Sequence, residues 1–90
     1  MPRYMVHRTF PTELRVPVGN GASEVWQTVV EQNAEEGVTW VHSYVSADRR
    51  TTFCIYDAPT PEAIRKTAAR NDLPVDEITQ VQVLDPYFYR

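Results

Sequence analysis

The amino-acid sequence predicts an α+β domain of order β-α-β-β-α-β, with two helices packed on one face of a four-stranded antiparallel sheet. Three observations predict it. Strand-type residues, alternating or β-branched and aromatic, occupy four stretches: 3–9, 38–46, 51–56 and 77–84. Two stretches with helical spacing separate the first strand from the second and the third from the fourth. The middle strands are joined by the short polar turn Ala47-Asp48-Arg49-Arg50, which makes them a hairpin. This is the order of the ferredoxin-like split fold, with strands one and three central and strands two and four at the edges.

Arg3 to Thr9 reads as the first strand. The loop from Phe10 to Ala22, punctuated by Pro11, Pro17, Gly19 and Gly21, is longer than the usual connection of about 4–6 residues. It reads as a surface excursion or as a lid. Ser23 is placed to cap the first helix, with Glu24 favourable at the positive end of its dipole. Trp26, Val29, Val30 and Ala34 then form a core stripe, and Gly37 supplies the stop. Val38 to Ser46 is the second strand and Thr51 to Tyr56 the third. Thr60-Pro61-Glu62 announces the second helix with a cap, a first-turn proline and an acid. Ile64, Thr67 and Ala68 form its thin apolar stripe, Arg65, Lys66 and Arg70 its solvated side, and Asn71 and Pro74 its close. Glu77 to Leu84 alternates as the fourth strand, which Asp85-Pro86 ends.

Ninety residues make one domain, 1–90, with a core modest enough that a second copy adds useful burial. A net charge of -3 argues against nucleic acid, which calls for a basic stripe. The single cysteine, Cys54, cannot form an intramolecular disulfide and suits a reducing compartment. The charged start Met-Pro-Arg-Tyr-Met-Val-His-Arg lacks the apolar run of a signal peptide, and no stretch approaches the length of a membrane span. The expectation is a cytoplasmic protein with no membrane contact.

Helices cover one face of such a sheet, so alternation sorts each strand between a helix side and an open side. Val41 and Val45, Phe53 and Ile55, Val81 and Val83, and Tyr4 and Val6 are expected inward. In strand one the reverse phase, with Tyr4 and Arg8 outward, is equally compatible with the pattern. The expected open face is then Met5, His7, Trp40, His42, Tyr44, Cys54, Tyr56, Gln80 and Gln82. It is too aromatic for plain solvent and too polar for a second core, which marks a pocket or an interface. A homodimer through this open sheet face is expected, with Trp40, Tyr44 and Tyr56 as contacts for a bound group. The aromatic tail Tyr87-Phe88-Tyr89 is expected to pack on a partner or on the sheet edge.

In this phase His7, Cys54 and His42 form a row across three neighbouring strands. Cross-strand Cβ atoms lie about 4.5–5.5 Å apart, and imidazole and thiolate ligands bond at about 2.0–2.3 Å. The row is therefore a candidate site for a divalent transition metal. Hairpin register is not fixed by sequence, and a one-residue slip sends Cys54 to the core as a small hydrophobe. The other readings are a hydrogen-bonded interface histidine for His42 and a solvated strand residue for His7.

Trp40-Val41-His42-Ser43-Tyr44-Val45, Phe53-Cys54-Ile55-Tyr56-Asp57-Ala58-Pro59 and Pro61-Glu62-Ala63-Ile64-Arg65 resemble a small bacterial family, a domain of unknown function. That family includes a nickel-responsive, nickel-binding protein from actinobacteria. The resemblance runs from Tyr4 to Pro86 and implies a ferredoxin-like dimer and, in some members, nickel binding. His42, Tyr44, Cys54 and Tyr56 match the family pattern position by position. His7 departs from it, because an acid commonly follows the strand-one valine. Lys66-Thr67 departs too, where members often carry a histidine. Imidazole and thiolate also suit zinc and copper, so the choice of nickel rests on the resemblance alone.

The competing reading is a small-molecule enzyme or ligand-binding module in the cavity of a dimeric α/β barrel, with His42 as acid or base and Tyr44 or Tyr56 as hydrogen-bond partner. In that reading no acid on the open face is found to orient the histidine. RNA binding on the sheet fits worse, since the basic-Gly-aromatic motif is missing.

Overall fold

The structure is a computed structural model and describes residues 1–12 and 23–89, apart from the side chains of residues 23–26, 28, 32, 88 and 89. The loop expectation for 13–22, the Ser23 cap and Trp26 in the core stripe lie outside the described residues, as do the side chains of Phe88 and Tyr89. The elements in chain order are β1 (Arg3–Thr9), α1 (Ser23–Glu35), β2 (Thr39–Val45), β3 (Thr51–Asp57), α2 (Pro61–Arg70) and β4 (Glu77–Val81), then a short 3-10 turn at Pro86–Tyr89. The sheet order is β2-β3-β1-β4, antiparallel throughout, with β2 and β4 at the edges as the predicted topology requires.

Local chemistry sets the boundaries. At the end of α1, Gly37 takes φ 73°, its N–H donates to the Ala34 carbonyl at 3.0 Å, and the Val38 N–H reaches the Asn33 carbonyl at 2.9 Å. Those paired bonds form a Schellman cap, which needs a left-handed residue where glycine sits. At the start of α2, Thr60 Oγ1 accepts the Ala63 N–H at 3.2 Å and Pro61 fills the first helical position. In the β2–β3 turn, Ser46 Oγ donates to Asp48 at 2.6 Å, and the Arg50 N–H donates to the same oxygen at 3.1 Å. Arg49 takes the left-handed conformation there. Lys66 and Arg70, expected to be solvated, reach from α2 to the end of α1 and the residue after it: Lys66 contacts Glu36 at 3.6 Å, and Arg70 contacts Glu35 at 2.9 Å and Glu36 at 2.8 Å.

The core lies between sheet and helices and contains Tyr4, Val6, Val38, Cys54, Tyr56, Ala58 and Ile64. The ladder explains the set, because Tyr4 pairs with Tyr56 and Val6 with Cys54, so these four point the same way. This corrects the expected phase of β3: Thr52, Cys54 and Tyr56 face the helices, and Phe53 and Ile55 face the open side. The physical reason is that both faces of this sheet carry large apolar residues, so alternation alone does not say which one the helices cover.

β2 contains a bulge. Trp40 pairs with Tyr56, but His42 pairs with Ile55, and Val41 is the extra residue between them. Trp40 therefore shares the helix side with Tyr56 and packs against the core, contrary to its expected open-face position. Val41 and Val45, the expected core pair, are exposed: Val41 sits in the bulge, and Val45 lies opposite Thr52 at the end of an edge strand. In β4, Gln80 pairs with Tyr4 and so faces the helix side, while Val81 pairs with Arg3 on the open side. Gln82 and Val83 lie beyond the ladder, which ends at Val81 rather than Leu84.

Candidate functional site

The open face is built from three cross-strand rows. His7 of β1 lies opposite Phe53 of β3, which lies opposite Tyr44 of β2. Met5 lies opposite Ile55, which lies opposite His42. Arg3 lies opposite Asp57 at the end where β2 begins. The two histidines thus share a face, as expected, with Phe53 and Ile55 in the central strand between them.

Ring contacts hold both imidazoles in place. His7 stacks on Phe53 with centroids 5.0 Å apart and planes 11° from parallel. His42 meets Tyr44 edge-on, 5.1 Å apart at 83°. These arrangements suit rings whose faces and edges carry opposite partial charge. Tyr44 is 63% exposed. On its other side His7 stands opposite Glu77 of β4, whose carboxylate also accepts from Thr79 Oγ1 at 3.5 Å. Glu77, like Asp57 at the far end of the same face, is an open-face acid that sequence reading missed. Its signal was present in β4, once β1 and β4 are paired in register.

Cys54 does not join this row. It pairs with Val6 and Ser43 on the opposite side of the sheet, is 7% exposed, and its thiol lies 3.7 Å from Thr52 Oγ1. Tyr56 is buried beside it, and burial pushes its phenol up to about 12 against a partial lowering by Arg8. Both residues, expected on the open face, are core residues because of the β3 phase. Trp40 is directed inward as well, with its indole N–H donating to Ser43 Oγ at 2.8 Å across the bulge. Of the predicted site residues, the open face thus retains His7, His42 and Tyr44.

At the lower border of that face Arg3 Nε donates to Asp57 Oδ1 at 2.7 Å and its second nitrogen to Oδ2 at 3.1 Å. This bidentate pairing holds the Asp57 carboxyl below the usual carboxylate range. An open groove of about 380 Å³ runs past the pair, lined by Met1–Arg3, Asp57 and residues 80–83, and neither histidine lines it.

Among the described residues no group of three or more His, Cys, Asp or Glu side chains gathers closely enough to hold a metal ion. No helix among them is long and apolar enough to cross a membrane.

Comparison with known proteins bears on both fold and family. The crystal structure of SCO4226 from Streptomyces coelicolor A3(2) superposes with a TM-score of 0.71 over 92% of this chain and 99% of that one, at 17% identity. That likeness concerns the fold. No curated protein matches the chain in sequence. A family model described as "Nickel responsive protein SCO4226-like" matches residues 4–81, from the second residue of β1 to the end of β4. The chain belongs to the SCO4226-like family of nickel responsive proteins.

Proposed function

We propose that this protein captures a divalent transition ion, nickel in line with its family, on the open face of its sheet, and that it does so as a homodimer stacked face to face. The observation that carries the reading is the pair of imidazoles, His7 and His42, set on an uncovered face among Met5, Phe53, Ile55 and Tyr44. Imidazole and carboxylate are suitable donors for nickel, zinc and copper, and the family tilts the choice to nickel.

One chain is short of donors. His7 has Glu77 as its cross-strand neighbour and His42 has Tyr44 beside it, whereas sites that retain such ions use three or more protein ligands. A second copy laid on this face supplies the missing ones, so that His7 and Glu77 of one copy and His42 of the other would hold the ion. The same stacking covers Tyr44, Phe53 and Ile55. Burying apolar surface contributes about 25 cal/mol per Å² before the costs of association, so these side chains also favour the dimer.

The test is calorimetric titration with nickel and with zinc at neutral pH, using protein purified without a histidine tag, with light scattering on the same samples. His42→Ala is expected to abolish binding and His7→Ala to weaken it, both at little cost in stability because neither leaves a core cavity. Protons compete with the ion for imidazole, so capture weakens as the medium acidifies. Wild-type affinity in both variants refutes the assignment, and a monomer at micromolar concentration refutes the dimer.

Glu77 opposite His7 favours a second reading, in which the cavity between two faces holds a small organic molecule and His7 acts as an oriented acid or base. It predicts an organic ligand in the cavity and no heat on adding either metal.

A further inference from the structure

β1 carries two arginines whose surroundings differ. Near one end Arg3 turns the edge formed by Nε and Nη2 toward Asp57 and clamps its carboxylate side-on, at 2.7 and 3.1 Å. Near the other end Arg8 lies on the helix side of the sheet and is 2% exposed. Its Nη1 donates to the Tyr56 hydroxyl at a long 3.4 Å, and the guanidinium lies 5.6 Å from the Tyr56 ring centre. Nε, on the edge that Arg3 uses for Asp57, is buried with no partner. Among the described residues no carboxylate pairs with this guanidinium.

Such a group needs an anion. A guanidinium does not escape burial by losing its proton, and a buried charge without a counter-ion is a costly arrangement. Tyr56, the acid it touches, does not supply one, because burial pushes the phenol up to about 12 and keeps it neutral. A water molecule would satisfy Nε without balancing its charge. Among the described residues the buried side-chain polar atoms without a hydrogen bond are Arg8 Nε and Asn33 Nδ2 of α1, both of them donors. What is missing on the helix side is therefore an acceptor. Thr52, directly opposite Arg8 in the ladder and buried on the same side, has its oxygen 3.7 Å from the Cys54 thiol, which leaves its own proton to be donated.

We propose that the helix side of β1 at Arg8 is a binding site for a small carboxylate monoanion, taken side-on by Arg8 as Arg3 takes Asp57, with Thr52 as a second donor. One guanidinium balances one negative charge, which favours a monoanion over a phosphate dianion. The paired N–H groups of its edge match a planar carboxylate. Near-complete burial of Arg8, Cys54 and Tyr56 limits the ligand to the size of formate or acetate. The site lies on the opposite side of the sheet from His7 and His42, so it stands independently of metal capture there.

The experiment titrates sodium formate and sodium acetate into the full chain at neutral pH and fixed protein concentration, each replacing sodium chloride at constant ionic strength. Thermal unfolding and saturation-transfer NMR on the acetate methyl are the two readouts. With carboxylate at ten times its dissociation constant, the folding equilibrium constant of the wild type is expected to rise about elevenfold. Arg8→Met is expected to show neither the rise nor the NMR signal, and Arg3→Met to show both. Thr52→Val, which keeps Arg8 and the packing, is expected to bind more weakly and decides the matter should Arg8→Met fail to fold. An equal rise in wild type and Arg8→Met is a general salt effect and overturns the proposal. A wild type with no rise and no NMR signal overturns it too, since the site then prefers nothing over chloride. Stronger stabilisation by phosphate at the same ionic strength overturns the carboxylate assignment.

Discussion

Replacing Arg8 by methionine should make this protein more stable. Arg8 is 2% exposed on the helix side of β1. One guanidinium nitrogen donates to the Tyr56 hydroxyl at a long 3.4 Å, the group lies 5.6 Å from the centre of the Tyr56 ring, and Nε is buried with no partner. Among the described residues no carboxylate forms an ion pair with it. A buried donor left unpaired costs about 1–3 kcal/mol. The weak hydrogen bond returns about 0.5–1.5 kcal/mol, and the cation–ring contact about 1 kcal/mol. Methionine keeps the unbranched stem and its packing while removing the charge, and buried ions replaced by apolar residues of similar volume often gain about 1–4 kcal/mol. The expected net gain in Arg8→Met is about 1 kcal/mol, a rise in Tm of about 4–8 °C for a domain of this size. Urea and thermal unfolding at one fixed protein concentration measure it, which holds constant any contribution from the proposed dimer. A loss of 1 kcal/mol or more refutes the reasoning, since the guanidinium would then have to be well satisfied where it lies. Arg8→Lys serves as the control and should be the least stable of the three, its compact ammonium being harder to strip of water.

Two further outcomes follow from the buried side of the sheet. The Tyr56 phenol is raised to about 12, chiefly by burial. A group whose pKa is higher folded than unfolded contributes fully below the unfolded value, so its share of about 3 kcal/mol is lost as pH rises from about 10 to 12. Alkaline unfolding followed by tyrosinate absorbance should show this step in the wild type and lose it in Tyr56→Phe. Cys54→Ser should leave the proposed nickel capture unchanged and lower stability by about 1 kcal/mol, since a buried thiol packs as a small hydrophobe. A native thiol that reacts rapidly with iodoacetamide, or a serine variant that no longer binds the ion, would refute its placement in the core.

The element order was legible in the sequence because each boundary carried its own chemistry. Gly37 stops α1 through a left-handed cap, and Thr60-Pro61 starts α2. The faces were harder to read. Phe53 and Ile55 are larger and more apolar than Thr52 and Cys54, so a reader who assumes that bulk goes inward turns β3 over. Here bulk is on both sides, and only the pairing of Tyr4 with Tyr56 and Val6 with Cys54 reveals which side the helices cover. His7 and His42 were placed on the right face and Trp40 on the wrong one, for two reasons. The phase of β1 was read correctly, while β2 changes phase in mid-strand, which no alternating pattern expresses. Glu77 escaped notice because its relevance lies in being opposite His7, a relation between strands rather than along one.

The extra residue at Val41 has a consequence for anyone tracing this protein's history. Trp40 and His42 are two positions apart yet lie on opposite sides of the sheet, so the strand changes gear between them. A lineage that lost the extra residue would keep a readable Trp-His-Ser-Tyr string in plain alternation, its histidine and tyrosine still on the open face, whereas one that kept every residue but straightened the bulge would turn both under the helices. Another that kept the bulge but moved the histidine two places toward the end of the strand would preserve the direction of its side chain with nothing conserved in that column. Among divergent relatives, equivalence of the open-face residues is therefore to be judged by which way a side chain faces, and a gap of one at this bulge does not by itself break that equivalence.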